Sequence, residues 1–266
     1  MVKYIDSRLR NEIAEKLKKI ESHPSVYEIK KNFIIKDLKT IGDIYSYWIE
    51  NPELRRAHLL DHKSPETVKK QAMKGIQSVH NAWNYLNNPK LIEDFIHKIA
   101  ENDFKILKSA NALIMGDPAN KGVGFRKYRV TLNCEEYYPP EGEDKIREKL
   151  KETNDEIIQL YYEDVIEAAI SWHFEGAIIQ PFEDGNKRTF RLIQDKILVE
   201  KGIPPVLISA GEAKYYHKLL CRAADSHGSQ NIEPRKDFHN YCASKLNNGL
   251  DEILGDLEIP VIFKRN

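Results

Sequence analysis

Residues 173–198 read HFEGAIIQPFEDGNKRTFRLIQDKIL. Two apolar runs enclose a polar centre, QPFEDGNKR. Pro181 ends the first run as a helix, because proline disfavours helical geometry at the residue before it. Gly185 permits a turn with positive φ, and Asn186 can cap a helix that begins near Lys187. The stretch therefore predicts two helices joined by a tight, charged loop.

The loop has the chemistry of an anion-binding site. Backbone N–H groups and the positive end of the helix dipole face outward where the second helix begins. Arg188 and Arg191 share a helix face, so both can reach phosphate oxygens. Asp184 stands where it could hold Mg²⁺ between two phosphates, and Phe182 should insert into the core and fix the loop. A helix–turn–helix corner with solvated charges is the alternative that these residues leave open.

The overall composition indicates a globular protein without a general affinity for nucleic acid. The 266 residues allow one large domain or two modest ones. Hydrophobic residues make up 41% and charged residues 31%, which is typical of a soluble globular protein and not of a disordered one. Lys plus Arg equals Asp plus Glu at 41 each, so no basic field favours a nucleic-acid partner.

The cysteines and the N-terminus favour a cytoplasmic location. Cys134, Cys221 and Cys242 are far apart and fit neither a zinc spacing nor a disulfide framework, so reduced thiols are expected. The N-terminus has no apolar signal core. No apolar run approaches the ~20 residues that a membrane span needs, and no membrane partner is expected. Export by a specialised secretion system is left open.

Most of the remaining sequence has helical periodicity. Residues 6–23 and 32–51 repeat apolar positions at helical spacing with charges between them. Ser64 and Pro65 form an N-cap and first-turn pair. Residues 124–132, GFRKYRVTL, give the clearest β signal through alternation and β-forming side chains. The predicted class is mainly α with one short hairpin.

The sequence contains no internal repeat, no low-complexity linker and no clean domain break. The best boundary lies near DHKSPE, before the second group of helices. We expect an N-terminal helical region over 1–63, a core over 64–250 and a C-terminal tail over 251–266.

The loop PFEDGNKR, residues 181–188, resembles the Fic motif H-P-F-x-[D/E]-G-N-[G/K]-R, and Arg191 falls on a further arginine of many members. ISWHFEGAIIQPF resembles the family's helix into the motif, with His173 at its upstream histidine. GFRKYRVTL followed by YYPP resembles the family's flap and the proline pair after it. The resemblance covers roughly residues 80–245 and implies a Fic-fold helical bundle with a short β-hairpin flap.

The resemblance implies transfer of AMP from ATP, with Mg²⁺, to a hydroxyl of a target protein. Asp184 would be the metal ligand. The nucleotide would contact Phe182, Gly185, Asn186, Lys187, Arg188 and Arg191. The target would lie along the flap as an added strand, at Phe125, Arg126, Tyr128 and Val130. A homodimer is left open.

Gln180 departs from the family, which has its catalytic histidine at this position. A primary amide is no base near pH 7, so general-base help of ~10²–10⁴-fold is lost. His173 is ~10 Å away along a helix and is expected to be a core residue. We therefore expect an impaired adenylyltransferase. A non-catalytic nucleotide-binding module is one alternative, and Lys187, found in the Doc-like branch, leaves a phosphotransferase as another.

SYWIEN, Ser46 to Asn51, matches the pattern [S/T]-x-x-x-E-[G/N] of the Fic inhibitory helix. In that scheme Glu50 would pair with Arg191 and block productive placement of the γ-phosphate. A carboxylate suits a phosphate site, because the same guanidinium fork holds both anions. The alternative is an amphipathic helix with Glu50 exposed to solvent.

Overall fold

The structure is a computed structural model, and it describes residues 3–26, 47–51, 66–88, 90, 95–99, 101, 104–116, 124–132 and 134–258. The helices are α1 Ser7–Glu21, α2 Glu66–Leu86, α3 Phe95–Lys98, α4 Lys105–Ile114, α5 Glu143–Glu163, α6 Val165–Ile179, α7 Asn186–Glu200, α8 Ala213–Asp225 and α9 Glu233–Glu258. Residues 47–50 form a further helical turn, and Ala210–Glu212 form a 3₁₀ turn before α8. The predicted mainly α class is confirmed.

Helix α6 is the centre of the molecule. It is buried along most of its length and packs against α5, α7 and α9. A helix that is apolar on every face must be covered on every face, which places α6 inside the bundle. The Asp164 side chain caps its N-terminus by accepting the Glu167 N–H at 3.0 Å. Gly176 lets α7 approach closely, because a Cβ there would lie 2.0 Å from the Phe190 ring.

The connection from α6 to α7 turns on two residues with positive φ. Gln180 ends α6 in the left-handed region at φ 51°, and Gly185 precedes α7 at φ 77°. For a non-glycine residue such as Gln180 this conformation costs roughly 1–2 kcal/mol. Phe182 offsets part of that cost, since its side chain is 1% exposed and its ring lies 5.7 Å from the Phe125 ring, centre to centre. The predicted insertion of Phe182 into the core is confirmed.

The segment 124–132 is extended but is not a strand, and no residue in the described part of the chain is assigned to one. The predicted β-hairpin flap is therefore not confirmed. The physical reason is that this segment pairs with the loop and not with another strand. The backbone N–H of Arg126 donates to the Pro181 carbonyl at 2.9 Å.

The N-terminal residues share the core of α6 and do not form a separate layer. The Glu167 carboxylate of α6 accepts the backbone N–H groups of Tyr4 and Ile5, each at 3.1 Å. Helix α1 packs on α9 and buries Ile13 and Ile20 in the common hydrophobic cluster. The division of the chain at residues 63 and 250 stays a prediction.

The cysteine prediction is wrong for one pair. Cys134 and Cys221 form a disulfide with their Cα atoms 5.0 Å apart, whereas Cys242 is a buried thiol. A sequence separation of 87 residues hides this proximity from any spacing argument. Asp225, near the end of α8, holds the same segment by accepting the N–H groups of residues 135–137 at 2.8–3.3 Å. None of the described helices has the length and apolar character needed to cross a membrane.

Candidate functional site

The charged loop opens onto a cavity of about 80 Å³ between the turn 47–50 and the start of α7. The cavity is lined by Glu50, Gln180, Glu183, Asp184, Gly185, Asn186, Lys187 and Arg188. The structure therefore brings most of the predicted loop residues together at one surface, whereas Phe182 and Arg191 are buried and do not line the cavity.

Asn186 holds the loop closed from inside. Its side chain accepts the Phe182 N–H at 2.8 Å and donates to the Phe182 carbonyl at 2.8 Å. It also donates to the Gln180 side-chain oxygen at 3.1 Å. The expectation that Asn186 caps the second helix is wrong, because Gly185 is the N-cap residue and Asn186 is already helical. The left-handed Gly185 moves the cap position back by one residue.

Helix α4 supports the loop from behind, and no local sequence pattern predicts this support. Asn111 is 2% exposed and donates to the Asp184 carbonyl at 2.9 Å and to the Thr189 hydroxyl at 3.1 Å. Thr189 in turn donates to the Gly185 carbonyl at 2.9 Å. A Cβ at Gly185 would lie 2.9 Å from both the Asn111 amide and the Met115 sulfur, and the φ of 77° is a conformation that also favours glycine.

Glu50 lies among three cationic or basic groups. Its carboxylate is 3.0 Å from Arg191, 3.2 Å from Lys187 and 3.9 Å from His217 Nε2. Burial raises the pKa of Glu50, but Arg191, Lys187 and His217 outweigh it and bring the pKa to about 2. The predicted contact between Glu50 and Arg191 is present, and its inhibitory role stays a prediction. Ser46, the other residue of that prediction, lies outside the described residues.

His217 was not singled out from the sequence as a site residue. Burial, reinforced by Lys187, lowers its pKa to about 4, so its imidazole is neutral at pH 7. Nothing in the spacing of the histidines pointed to it, because His217 and Glu50 are far apart in the sequence and come within 3.9 Å only in the fold.

Arg188 and Asp184 form the outer rim of the cavity. The Arg188 guanidinium lies 3.6 Å from the Asp184 carboxylate and donates to the Met115 sulfur at 3.5 Å. The Asp184 side chain is 72% exposed. One carboxylate suits Mg²⁺ when phosphates supply further oxygens. Among the residues that the structure describes, no group of three or more His, Cys, Asp or Glu could hold a metal by itself.

Gln180 is engaged at both ends of its amide. Its Nε2 donates to the Ala177 carbonyl at 2.6 Å, and its Oε1 accepts from Asn186. The side chain therefore braces the loop and carries no proton acceptor that works near pH 7. His173 is fully buried and lines no part of this cavity. The expectation of a core histidine is confirmed.

The four flap residues face different ways. Phe125 and Arg126 are buried, Val130 is half-buried, and Tyr128 is 59% exposed. The Tyr128 hydroxyl donates to the Glu183 carboxylate and so joins the flap to the loop. The alternation in the sequence could not reveal that two consecutive side chains, Phe125 and Arg126, both face the interior.

Arg126 is the main link between the flap and the loop. Its guanidinium donates to the carbonyls of Gln180 at 2.5 Å, Pro140 at 2.6 Å and Tyr128 at 2.8 Å. A fourth bond reaches the Ile179 carbonyl at 3.3 Å. One buried side chain thus ties the extended segment to the end of α6.

Residues 102–198 match the Fic/DOC family model. The protein adenylyltransferase Fic of Nematostella vectensis is 33% identical over 122 residues, which is 45% of this chain and 27% of that relative. Fic-1 of Caenorhabditis elegans superposes with a TM-score of 0.67 at 17% identity, covering 94% of this chain and 71% of that chain. A Fic domain containing signaling protein from Bacteroides thetaiotaomicron superposes at 0.63 and 16% identity, covering 93% and 96%. At these identities the superpositions show a shared fold.

Proposed function

This chain carries a Fic/DOC-family domain over residues 102–198, and from that premise we propose that it transfers AMP from ATP to a hydroxyl group of a target protein. The observation that carries the proposal is the convergence of Lys187, Arg188 and Arg191 with the start of α7 around one loop. Cations at a helix N-terminus favour a polyphosphate ligand. The curated relative is named an adenylyltransferase, although the chain spans only 27% of its length.

ATP would lie with its phosphates against the loop. Lys187 and Arg188, which line the cavity, would contact the phosphate oxygens. Asp184 would hold Mg²⁺, which when bound supplies positive charge that stabilises the phosphates. Arg191 would take an outer phosphate once Glu50 leaves it. The target protein would dock along the flap, next to Tyr128.

The reaction requires a base that the loop lacks. The target oxygen bonds to the α-phosphorus, the bond from that phosphorus to the bridging oxygen breaks, and pyrophosphate leaves. The hydroxyl proton must pass to an acceptor during this step. Gln180 occupies the place of the family's histidine and already donates to Ala177 and accepts from Asn186. We infer a rate ~10²–10⁴-fold below that of a chain with the base.

A non-catalytic nucleotide-binding module is the second candidate. The observation in its favour is again Gln180, whose amide stabilises the loop without offering a base. In this reading the chain binds ATP and a protein partner and transfers nothing.

Autoinhibition by Glu50 is part of the proposal. Its ionised carboxylate forms ion pairs with Lys187 and Arg191, which are the cations that a triphosphate would need. We expect Glu50→Gln to tighten ATP binding in calorimetric titrations, because the competing anion is removed. Unchanged affinity would speak against the brake.

The function is tested by offering the chain ATP labelled at the α- or the γ-phosphorus. Transfer of α-label to protein supports adenylyl transfer, and transfer of γ-label alone would favour the Doc-like phosphotransferase. ATP binding without any transfer favours the non-catalytic module. Absence of binding would overturn the assignment of the loop as a nucleotide site.

A further inference from the structure

A row of buried polar side chains lies beside Arg191. His173 of α6 and Tyr216 of α8 are both 0% exposed, and Gln194 of α7 is 1% exposed. His173 Nδ1 is 2.8 Å from Gln194 Oε1, and His173 Nε2 is 2.9 Å from the Tyr216 hydroxyl. The Tyr216 hydroxyl also accepts from Arg191, whose guanidinium carbon lies 5.4 Å from the Tyr216 ring centre. The row ends on the cation that holds Glu50.

The direction of every hydrogen bond in this row follows from the Asp195 carboxylate, which lies next to Gln194 at one end of the row. Asp195 can only accept, and Gln194 Nε2 donates to it at 3.4 Å, which turns Gln194 Oε1 toward His173. An amide oxygen can only accept, so His173 carries its proton on Nδ1 and leaves Nε2 free to accept. The Tyr216 hydroxyl therefore donates to His173 and presents its lone pairs to Arg191.

The neutral state of His173 agrees with this direction. Burial lowers the pKa of His173 to about 3, and Arg191 adds to the effect. A charged imidazole would have to donate at both nitrogens, and Tyr216 could then no longer donate to it. At neutral pH, each hydrogen bond in the row therefore has a single direction of donation.

We propose that His173 and Tyr216 are positioning residues for Arg191. They fix the guanidinium in the orientation that grips an anion, which is Glu50 in this structure. With ATP bound, the anion would be an outer phosphate, and this part rests on the proposed function. Arg191 is 3% exposed, so its donors need protein partners, and a guanidinium held in advance loses less freedom on binding.

Nothing in the sequence pointed to His173 or Tyr216 as a residue that positions Arg191. Neither residue lines the cavity, and His173 reads as a core histidine on an apolar helix. Their effect reaches the ligand only through Arg191. A test must therefore measure the contribution of the outer phosphates to binding separately from that of the rest of the nucleotide.

The first test compares ATP with AMP, which lacks the outer phosphates, in the Glu50→Gln chain by calorimetry. Tyr216→Phe should lower the preference for ATP over AMP about tenfold, since a hydrogen bond to a charged group is lost. His173→Met should lower this preference by a similar factor. His173→Gln, which keeps an acceptor for the Tyr216 hydroxyl, should retain the preference for ATP over AMP. Tyr215→Phe is the matched control, because Tyr215 is the next residue on α8 and is 54% exposed.

The second test needs no nucleotide. In the chain as it stands, the Arg191 guanidinium should give separate, slowly rotating N–H signals by NMR, and Tyr216→Phe should average them while Tyr215→Phe does not. Unchanged signals, or an ATP preference that survives both Tyr216→Phe and His173→Met, would overturn the inference. If the Glu50→Gln chain binds neither nucleotide, the proposed function fails and the NMR result alone decides the positioning role. A melting curve confirms that each variant is folded.

Discussion

Glu50 is a carboxylate whose ionisation contributes to the stability of the site. Its pKa of about 2 lies below the ordinary value of 4.5, because Arg191, Lys187 and His217 outweigh the effect of burial. A group with a lowered folded-state pKa stabilises the fold above its unfolded-state pKa, and this stability is lost as pH falls. The relevant window therefore runs from about pH 5 down toward pH 2.

We expect the native chain to lose about 3 kcal/mol more unfolding free energy across this window than Glu50→Gln, at 1.36 kcal/mol per pKa unit. Urea unfolding at several pH values measures both chains. Glu167, whose pKa is also about 2, titrates in both proteins and cancels in the comparison. Parallel pH profiles would contradict the ion-pair account of Glu50.

The extended segment 124–132 is an element held by side-chain bonds and not by a strand ladder. Arg126 is 1% exposed and donates to the carbonyls of Gln180, Tyr128 and Pro140. The planar guanidinium reaches all of these acceptors at once, and a lysine ammonium on a flexible stem cannot reproduce that fork. The flap should therefore depend on this one side chain for its place beside the loop.

Arg126→Lys should loosen the flap and speed amide hydrogen exchange in residues 124–132, by about tenfold if one charge-assisted hydrogen bond is lost. Arg129→Lys is the control, because Arg129 is 57% exposed and pairs with Glu141 at the surface. Exchange that stays slow in Arg126→Lys would show that other contacts hold the flap.

The helical bundle and its loop could be predicted from the sequence because their signals are local. The apolar run of α6, Pro181 and Gly185 specify helix, stop and turn within a few residues of one another. The charged side chains of the loop then share one site because the turn is short. The hairpin was not confirmed for the opposite reason, since alternation in 124–132 does not say which partner satisfies its backbone.

The supports of the site could not be predicted because they join residues far apart in the chain. Asn111 reaches a carbonyl 73 residues away, and Arg126 reaches one 54 residues away. The disulfide closes a separation of 87 residues. Such contacts depend on how the helices pack, and that packing cannot be predicted from the spacing of residues in a single sequence.

The molecule as a whole is a helical scaffold in which the loop between α6 and α7 presents Lys187 and Arg188 beside the Gln180 amide. We propose that the loop binds ATP for adenylyl transfer and that Gln180 limits the rate of this transfer. A chain with Gln180→His regains an imidazole at that position, and Gln180→Asn serves as the matched control without one.

The most direct measurement is the initial rate of α-label transfer from ATP to protein in these three chains. We predict that Gln180→His raises the rate ~10²–10⁴-fold, the usual worth of a general base, while Gln180→Asn does not. Equal rates in Gln180→His and Gln180→Asn, with ATP bound in both, would contradict the account.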